Sequence, residues 1–263
     1  MAGPLTLRRE GDVLHICLDR PEVRNALDER LIADVTQALR VEARAPETRV
    51  VVIRGEGKVF CAGADLQYMQ RLSGADEATN LEDARRLGEL FSALNHCPRP
   101  VIAQVHGAAI GGGVGLVAAS DFVVAAEGTK FGFTEARLGI VPGVISPFAL
   151  RRLGPALCRR LFLTGEIFDA QQALDFGLVD HCVAVDALEA TTASIIEKLR
   201  LAGPGAQAAA KSLLDEVGNL PVEEAVALAP EHIARVRASD EAREGFSAFL
   251  EKRPTSWAKK EDA

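Results

Sequence analysis

No CxxC pair occurs among the five cysteines, Cys17, Cys61, Cys97, Cys158 and Cys182. An odd, scattered set excludes a disulfide framework and reads as free thiols of a reducing compartment, each a small core residue. A basic stripe is lacking too: 37 acidic residues against 30 Lys and Arg leave a formal net charge of −7. That balance argues against a surface that releases counterions from nucleic acid. The amino-terminal MAGPLTLRRE has no apolar core of a secretory signal. The longest run of small apolar residues, Gly107 to Ser120, is filled with glycine and too short to span a bilayer. His15, His96, His106, His181 and His232 show no HExxH spacing, so no metal is expected. Neither a solenoid repeat nor a GxGxxG run is found, and no GKS or GKT follows the glycines. What remains is a globular chain of 263 residues, expected in the cytoplasm, with one substantial domain or a domain plus an appendage.

Strands and helices alternate through the first part. Val13 to Leu18 reads as a strand ended by Arg20-Pro21. Asp28 then caps a helix with Leu31, Val35 and Leu39 on one face and Ile32 beside them. Val50 to Ile53 is a continuous apolar run closed by Gly55, the pattern of a strand buried on both faces. Leu72 to Asn80 is polar and is expected to be a mobile loop. Pro100 to Val105 and Phe122 to Ala126 are further strands. From Pro155 onward helices dominate, first over Leu157 to Leu163 and Ala170 to Phe176. A short strand near Val179 to Val183 follows. The remainder is amphipathic helix, punctuated by Gly203-Pro204-Gly205, Pro221 and Pro230. The expected class is α/β, with a core over 1–200 and a helical region over 201–263.

Two glycine-rich turns stand out. Gly111-Gly112-Gly113 follows a strand and opens a helix, where backbone N–H groups lack intrahelical partners. Phe60-Cys61-Ala62-Gly63-Ala64-Asp65-Leu66 is a second small-residue turn after a buried strand. Either turn alone is explained by close helix–sheet packing. Together they suit an oxyanion hole, which needs two N–H donors converging from different segments. Glu135 lies in an otherwise apolar, turn-rich stretch from Phe131 to Gly143. A carboxylate there is partly desolvated, with its pKa raised as a general acid or base requires. Its plainer role is a surface ion pair with Arg137 or a nearby helix.

These residues, in this order, resemble the crotonase or enoyl-CoA hydratase/isomerase family over essentially the whole chain. Arg20-Pro21 through Asn25-Ala26-Leu27, Phe60 through Leu66, His106 through Gly113 and the Glu135 segment carry the likeness. Gly165-Glu166, Ala173, Gly177-Leu178-Val179, Glu244-Gly245-Phe246 and Phe249 through Arg253 complete it. The resemblance implies a crotonase-like ββα spiral core, a helical C-terminal trimerisation region, and a homotrimer or dimer of trimers. It places the oxyanion hole at the N–H groups of Ala62 and Gly112. Coenzyme A is expected against Ala26 and Ala64 to Leu66, Asp65 included, with Arg24 near its phosphates. Phe249 and Lys252 are expected to reach a neighbouring subunit's coenzyme A, which is part of the substrate, so no separate cofactor is implied. Tyr68, which follows the first turn directly, is expected to line the acyl pocket.

The chain departs from the family's usual pair of glutamates, because Gly115 stands at the first. The resemblance then implies a hydratase with Glu135 as its only catalytic carboxylate. Gly115 is expected to empty space beside the acyl chain and to remove a charge. A glutamate about 4 Å from a substrate carboxylate would cost roughly 4 kcal/mol at an effective dielectric near 20. A carboxylate-bearing substrate is therefore expected. The segment Phe131 to Pro142 with Val144-Ile145-Ser146-Pro147-Phe148 resembles the 3-methylglutaconyl-CoA hydratases of leucine degradation. The isohexenylglutaconyl-CoA hydratases of terpenoid catabolism share it. A CoA isomerase or decarboxylase would use the same oxyanion hole, and a silent binding protein would need neither it nor Glu135.

Overall fold

The computed structural model describes residues 3–258, so the last five residues of the 201–263 region lie outside the described residues. Its frame is a six-stranded sheet in the order β1 (Leu5–Glu10), β2 (Val13–Leu18), β3 (Val50–Gly55), β4 (Val101–Val105), β6 (Phe122–Ala126), β9 (His181–Val183). Only β1 and β2 pair antiparallel; the other neighbours run parallel. A small second sheet joins β5 (Ala108–Ile110), β7 (Lys130–Gly132) and β8 (Ile167–Asp169).

The apolar runs form strands because both faces of the large sheet are covered. On β3, Val51 and Ile53 enter the main core together with Leu31, Val35 and Leu39 of α1 (Glu29–Arg40). Val50 and Val52 turn the other way, to Ile195 and Ile196 of α7 (Leu188–Arg200). The Asp28 carboxylate accepts from Leu31 N–H, so α1 begins where its cap requires.

Leu72 to Asn80 is not a loop. α2 (Leu66–Ser73) and α3 (Glu77–Asn95) leave only Gly74, Ala75 and Asp76 between them. Asp76 caps α3 by accepting from Thr79 N–H, so the polar residues belong to a helix start rather than to a long connection. α4 (Gly112–Ala119) is buried throughout except at its first residue. α5 (Ser146–Thr164) starts earlier than expected and breaks at Gly154, where φ is 74°, before Pro155 reopens it. α6 (Ala170–Asp175) carries a capping box between Asp169 and Gln172.

Beyond α7 come α8 (Pro204–Val217), α9 (Val222–Arg237) and α10 (Asp240–Leu250). Pro204 sits in the first turn of α8, as its missing N–H allows. Pro230 does not punctuate: it lies inside α9, on an exposed turn where losing one amide bond is tolerated. Among the described residues no helix is long and apolar enough to cross a membrane.

Candidate active site

The two glycine turns meet through backbone. Cys61 N–H donates to Ala108 O at 3.1 Å, and Ile110 N–H returns a bond to Cys61 O at 3.0 Å. Glycine is required at this seam. A Cβ on Gly63 would lie 3.0 Å from Ile110 O, and one on Gly113 would collide with Cys61 O. Gly111, at φ 51°, ends β5 and hands the chain to α4 without any side-chain cap. The Gly112 N–H, first in that helix, therefore has no partner among the described residues.

A third segment holds the first turn in place. Arg24 and Asn25 take left-handed backbone at φ 58° and 55°. Asn25 is fully buried; its side chain accepts from Arg20 N–H and donates to Glu56 O and Val59 O. Leu27 N–H then donates to Gly63 O at 2.7 Å, and Asp65 N–H to Leu27 O at 2.9 Å. This is a parallel bridge between Leu27 and Ala64. In such a bridge the middle residue turns its own N–H and C=O away from the partner strand. The Ala64 amide is thus free of partners among the described residues, and Ala64 is exposed.

That arrangement corrects the expectation for Ala62. Its N–H is spent on Arg24 O at 3.0 Å. The amide that the Leu27 bridge turns away from its partner strand is two residues later, at Ala64. Backbone alternation decides the matter, and a row of small residues gave no hint of it.

Glu135 opens a short 3-10 turn, Glu135–Leu138. A Cβ on Gly111 would lie 3.3 Å from its Oε1 and 3.9 Å from Gly63 Cα. The carboxyl therefore stands beside the meeting point of both turns. Burial raises its pKa above the ordinary 4.5, and Oε2 is buried without any hydrogen-bond partner. Neither carboxyl oxygen pairs with Arg137, so the surface ion pair does not form. A half-buried carboxyl with one unpartnered oxygen, beside two turns that carry free amides, can exchange protons with a bound molecule while the amides hold a developing oxyanion.

Gly115 corrects a second expectation. It leaves no empty space, because a Cβ there would collide with Ile145 Cγ2 and lie 2.7 Å from Phe91 Cζ. Tyr68 corrects a third. Its hydroxyl bonds to Asp83, and its ring borders a groove of about 210 Å³ between α1 and α3, with Ile32, Thr36 and Arg86. The lining of that groove includes neither glycine turn nor Glu135.

Asp65 is structural at first hand. It caps α2 through Gln67 and Tyr68 N–H and receives Arg20 at 3.0 Å. Burial disfavours its charge, but the Tyr68 amide and the Arg20 guanidinium outweigh that and hold its carboxyl below 3.8. Arg20 also reaches Asp28, the α1 cap, at 3.1 Å and bonds Ala26 O, which keeps Ala26 inside. Arg20 and Asn25 are the residues that reasoning from sequence passed over as function-bearing. The Arg20-Pro21 turn, with asparagine four residues after the proline, was the available signal. Leu66, 83% exposed, follows Ala64 by two residues, and exposed Arg24 meets the same turn through its carbonyl, which accepts from Ala62 N–H. Phe249 and Lys252 stand exposed at the end of α10.

The enoyl-CoA hydratase/isomerase family model matches residues 8–260. A putative enoyl-CoA hydratase from Thermus thermophilus is 33% identical over 93% of this chain and 97% of its own. The (E)-benzylidenesuccinyl-CoA hydratase of Thauera aromatica is 33% identical over 95% and 97%, and a carnitinyl-CoA dehydratase of Citrobacter koseri 35% over 98% and 99%. A crystal structure of an enoyl-CoA hydratase from Shewanella pealeana superposes with a TM-score of 0.93 at 37% identity, covering 97% of this chain and 96% of that one. The chain belongs to the enoyl-CoA hydratase/isomerase family and has the crotonase fold. It is an enzyme of the carbon–oxygen lyase type that these hydratases represent.

Proposed function

We propose that the protein adds water reversibly to a branched, carboxylate-bearing enoyl-CoA, with 3-methylglutaconyl-CoA the leading substrate. The observation that supports this most is the isolation of Glu135: one half-buried carboxyl, its Oε2 without a partner, beside the two glycine turns, and no room for another at position 115. The thioester oxygen would sit on the Ala64 and Gly112 N–H groups, which hold the charge that develops as water adds to Cβ. Ionised Glu135 would take a proton from that water and return one to Cα. Loss of one such amide donor typically costs about 3–4 kcal/mol of transition-state stabilisation.

The acyl group rests on charge. With no second glutamate, a substrate carboxylate near α4 meets no like charge. The benzylidenesuccinyl relative is named for an acyl group with a second carboxyl, whereas the carnitinyl relative is named for one with a cationic head. The 3-methylglutaconyl reading is therefore this chain's own, and isohexenylglutaconyl-CoA is the alternative substrate. The coenzyme A would lie along Ala64 to Leu66 and Arg24. Exposed Phe249 and Lys252 would reach a neighbouring subunit's coenzyme A in a homotrimer or dimer of trimers. No cofactor beyond that coenzyme A is proposed, and five free thiols agree with a cytoplasmic setting.

The test follows 3-methylglutaconyl-CoA and crotonyl-CoA by loss of enoyl-thioester absorbance and gain of water mass, in wild type and Glu135→Gln. Conversion of the glutaconyl substrate, lost in the variant, supports the reading. Equal or better turnover of crotonyl-CoA sinks the charge argument. Double-bond migration or loss of carbon dioxide without water uptake moves the reaction to an isomerase or decarboxylase.

A further inference from the structure

We propose that Phe91 and Ile145 are specificity-determining residues that set the acyl room beside Glu135 and bar a second acid from position 115. This rests on Glu135 marking the reacting end of the acyl group. Gly115 N–H donates to Gly111 O at 3.1 Å, so the two glycines lie one helical turn apart on the same face of α4. The missing side chain of Gly111 would touch Glu135 Oε1, while that of Gly115 would enter Phe91 and Ile145. The carboxyl and the two apolar side chains therefore flank the same strip of helix, about 6 Å apart along it.

Phe91, fully buried on α3, meets position 115 through Cζ and Cε1, at 2.7 and 2.8 Å from where a Cβ would stand. Ile145 comes from the segment entering α5. Phe148 backs Phe91 with ring centroids 6.0 Å apart, and Val144 faces Gly88 of α3 at 3.5 Å from its would-be Cβ. This wall is hydrocarbon and none of its side chains titrates. A carboxyl at position 115 would have to displace a buried ring and would then sit unpaired among apolar atoms. The glycine is thus locked in by its neighbours and is not an isolated deletion that one substitution reverses.

Saturated acyl-CoAs read the room without any turnover. Calorimetric titration of the full chain with butyryl-CoA and octanoyl-CoA gives a ratio of dissociation constants that loss of folded protein does not alter. Phe91→Ala is expected to shift that ratio toward octanoyl-CoA by about tenfold, Ile145→Ala to shift it the same way, and Phe91→Leu to restore most of it. In melting experiments, Gly115→Glu alone should lower Tm by roughly 5–10 °C, and adding Phe91→Ala should recover at least about half of that loss. A ratio within about twofold of wild type in both alanine variants overturns the proposal. So does a Gly115→Glu chain that melts like wild type. A wild type that binds these thioesters yet hydrates no enoyl-CoA would defeat the hydratase reading alone, since the binding ratio still decides this one.

Discussion

The α/β core and the C-terminal helices are built on different physics within one chain. In the core, Val51, Ile53, Val114 and Leu116 are fully enclosed, and each fully buried aliphatic side chain contributes about 1.5–3 kcal/mol. In α8 no residue is buried; α9 buries only His232 and α10 only Ala248. The helices attach to the core largely by polar clasps. Arg49 donates to Ala202 O, and Lys211 pairs with Asp121 at 2.6 Å. The Glu241 carboxylate from α10 closes the start of α8 through Gly205 and Ala206 N–H, both at 2.8 Å. Meanwhile Val222, Val226, Phe249 and Leu250 remain exposed. A core that closes on itself can hold a catalytic seam rigidly. A region that leaves its apolar face open is suited to a second copy, the role given to it in the proposed assembly.

The sharpest way to break this contrast is at Glu135, where the core holds a group that its own packing disfavours. Glu135→Gln should lower hydration kcat by about 10²–10⁴-fold with no loss of Tm, measured by steady-state kinetics and calorimetry. Because burial raises its pKa, the rate should rise with pH through an inflection above 4.5, and that inflection should vanish in the variant. A raised carboxyl pKa also means that ionising Glu135 erodes stability as pH rises through the folded value, a slope that glutamine should remove.

Next is Asn25→Ala, which strands Glu56 O, Val59 O and Arg20 N–H in the core. A loss of about 3 kcal/mol is expected in denaturant unfolding, with the seam loosened at Ala62 to Ala64 and kcat reduced. A fully active, fully stable variant would show that the Arg20–Leu27 turn is not what aims the Ala64 amide. A smaller effect is expected at Asp65. Its lowered pKa contributes stability present above 3.8 and lost as pH falls through the folded value; Asp65→Asn should flatten that acid limb. Smallest for folding is Val226→Asp, on the open face of α9, at under about 0.5 kcal/mol. Its effect should appear instead in sedimentation, as dissociation of the assembly. An unchanged mass would remove this face from the contact between copies.

Much of the core was legible because apolar periodicity reports burial directly. β2, α1 and β3 were visible as runs and stripes, and Asp28 marked a helix start through its capping chemistry. The short strands β5, β7 and β8 were not, since three residues carry no period. β1 escaped because Arg8, Arg9 and Glu10 face solvent on an edge. The Leu72 to Asn80 segment misled because helix caps and loops draw on the same polar residues. At the site, glycine and glutamate announced the chemistry, but they did not say which amide was free.

By itself the sequence determined the class of fold, the two turns that need glycine, and the carboxyl beside them. These follow from local sterics and from the cost of placing a charge among apolar neighbours. Only the tertiary structure decided that Ala62 spends its amide on Arg24 while Ala64 keeps its own free. It alone showed that Phe91 and Ile145 close over Gly115 and that Tyr68 turns toward Asp83. Each of these depends on which face a distant segment presents, and a face is chosen by packing between elements far apart in the chain.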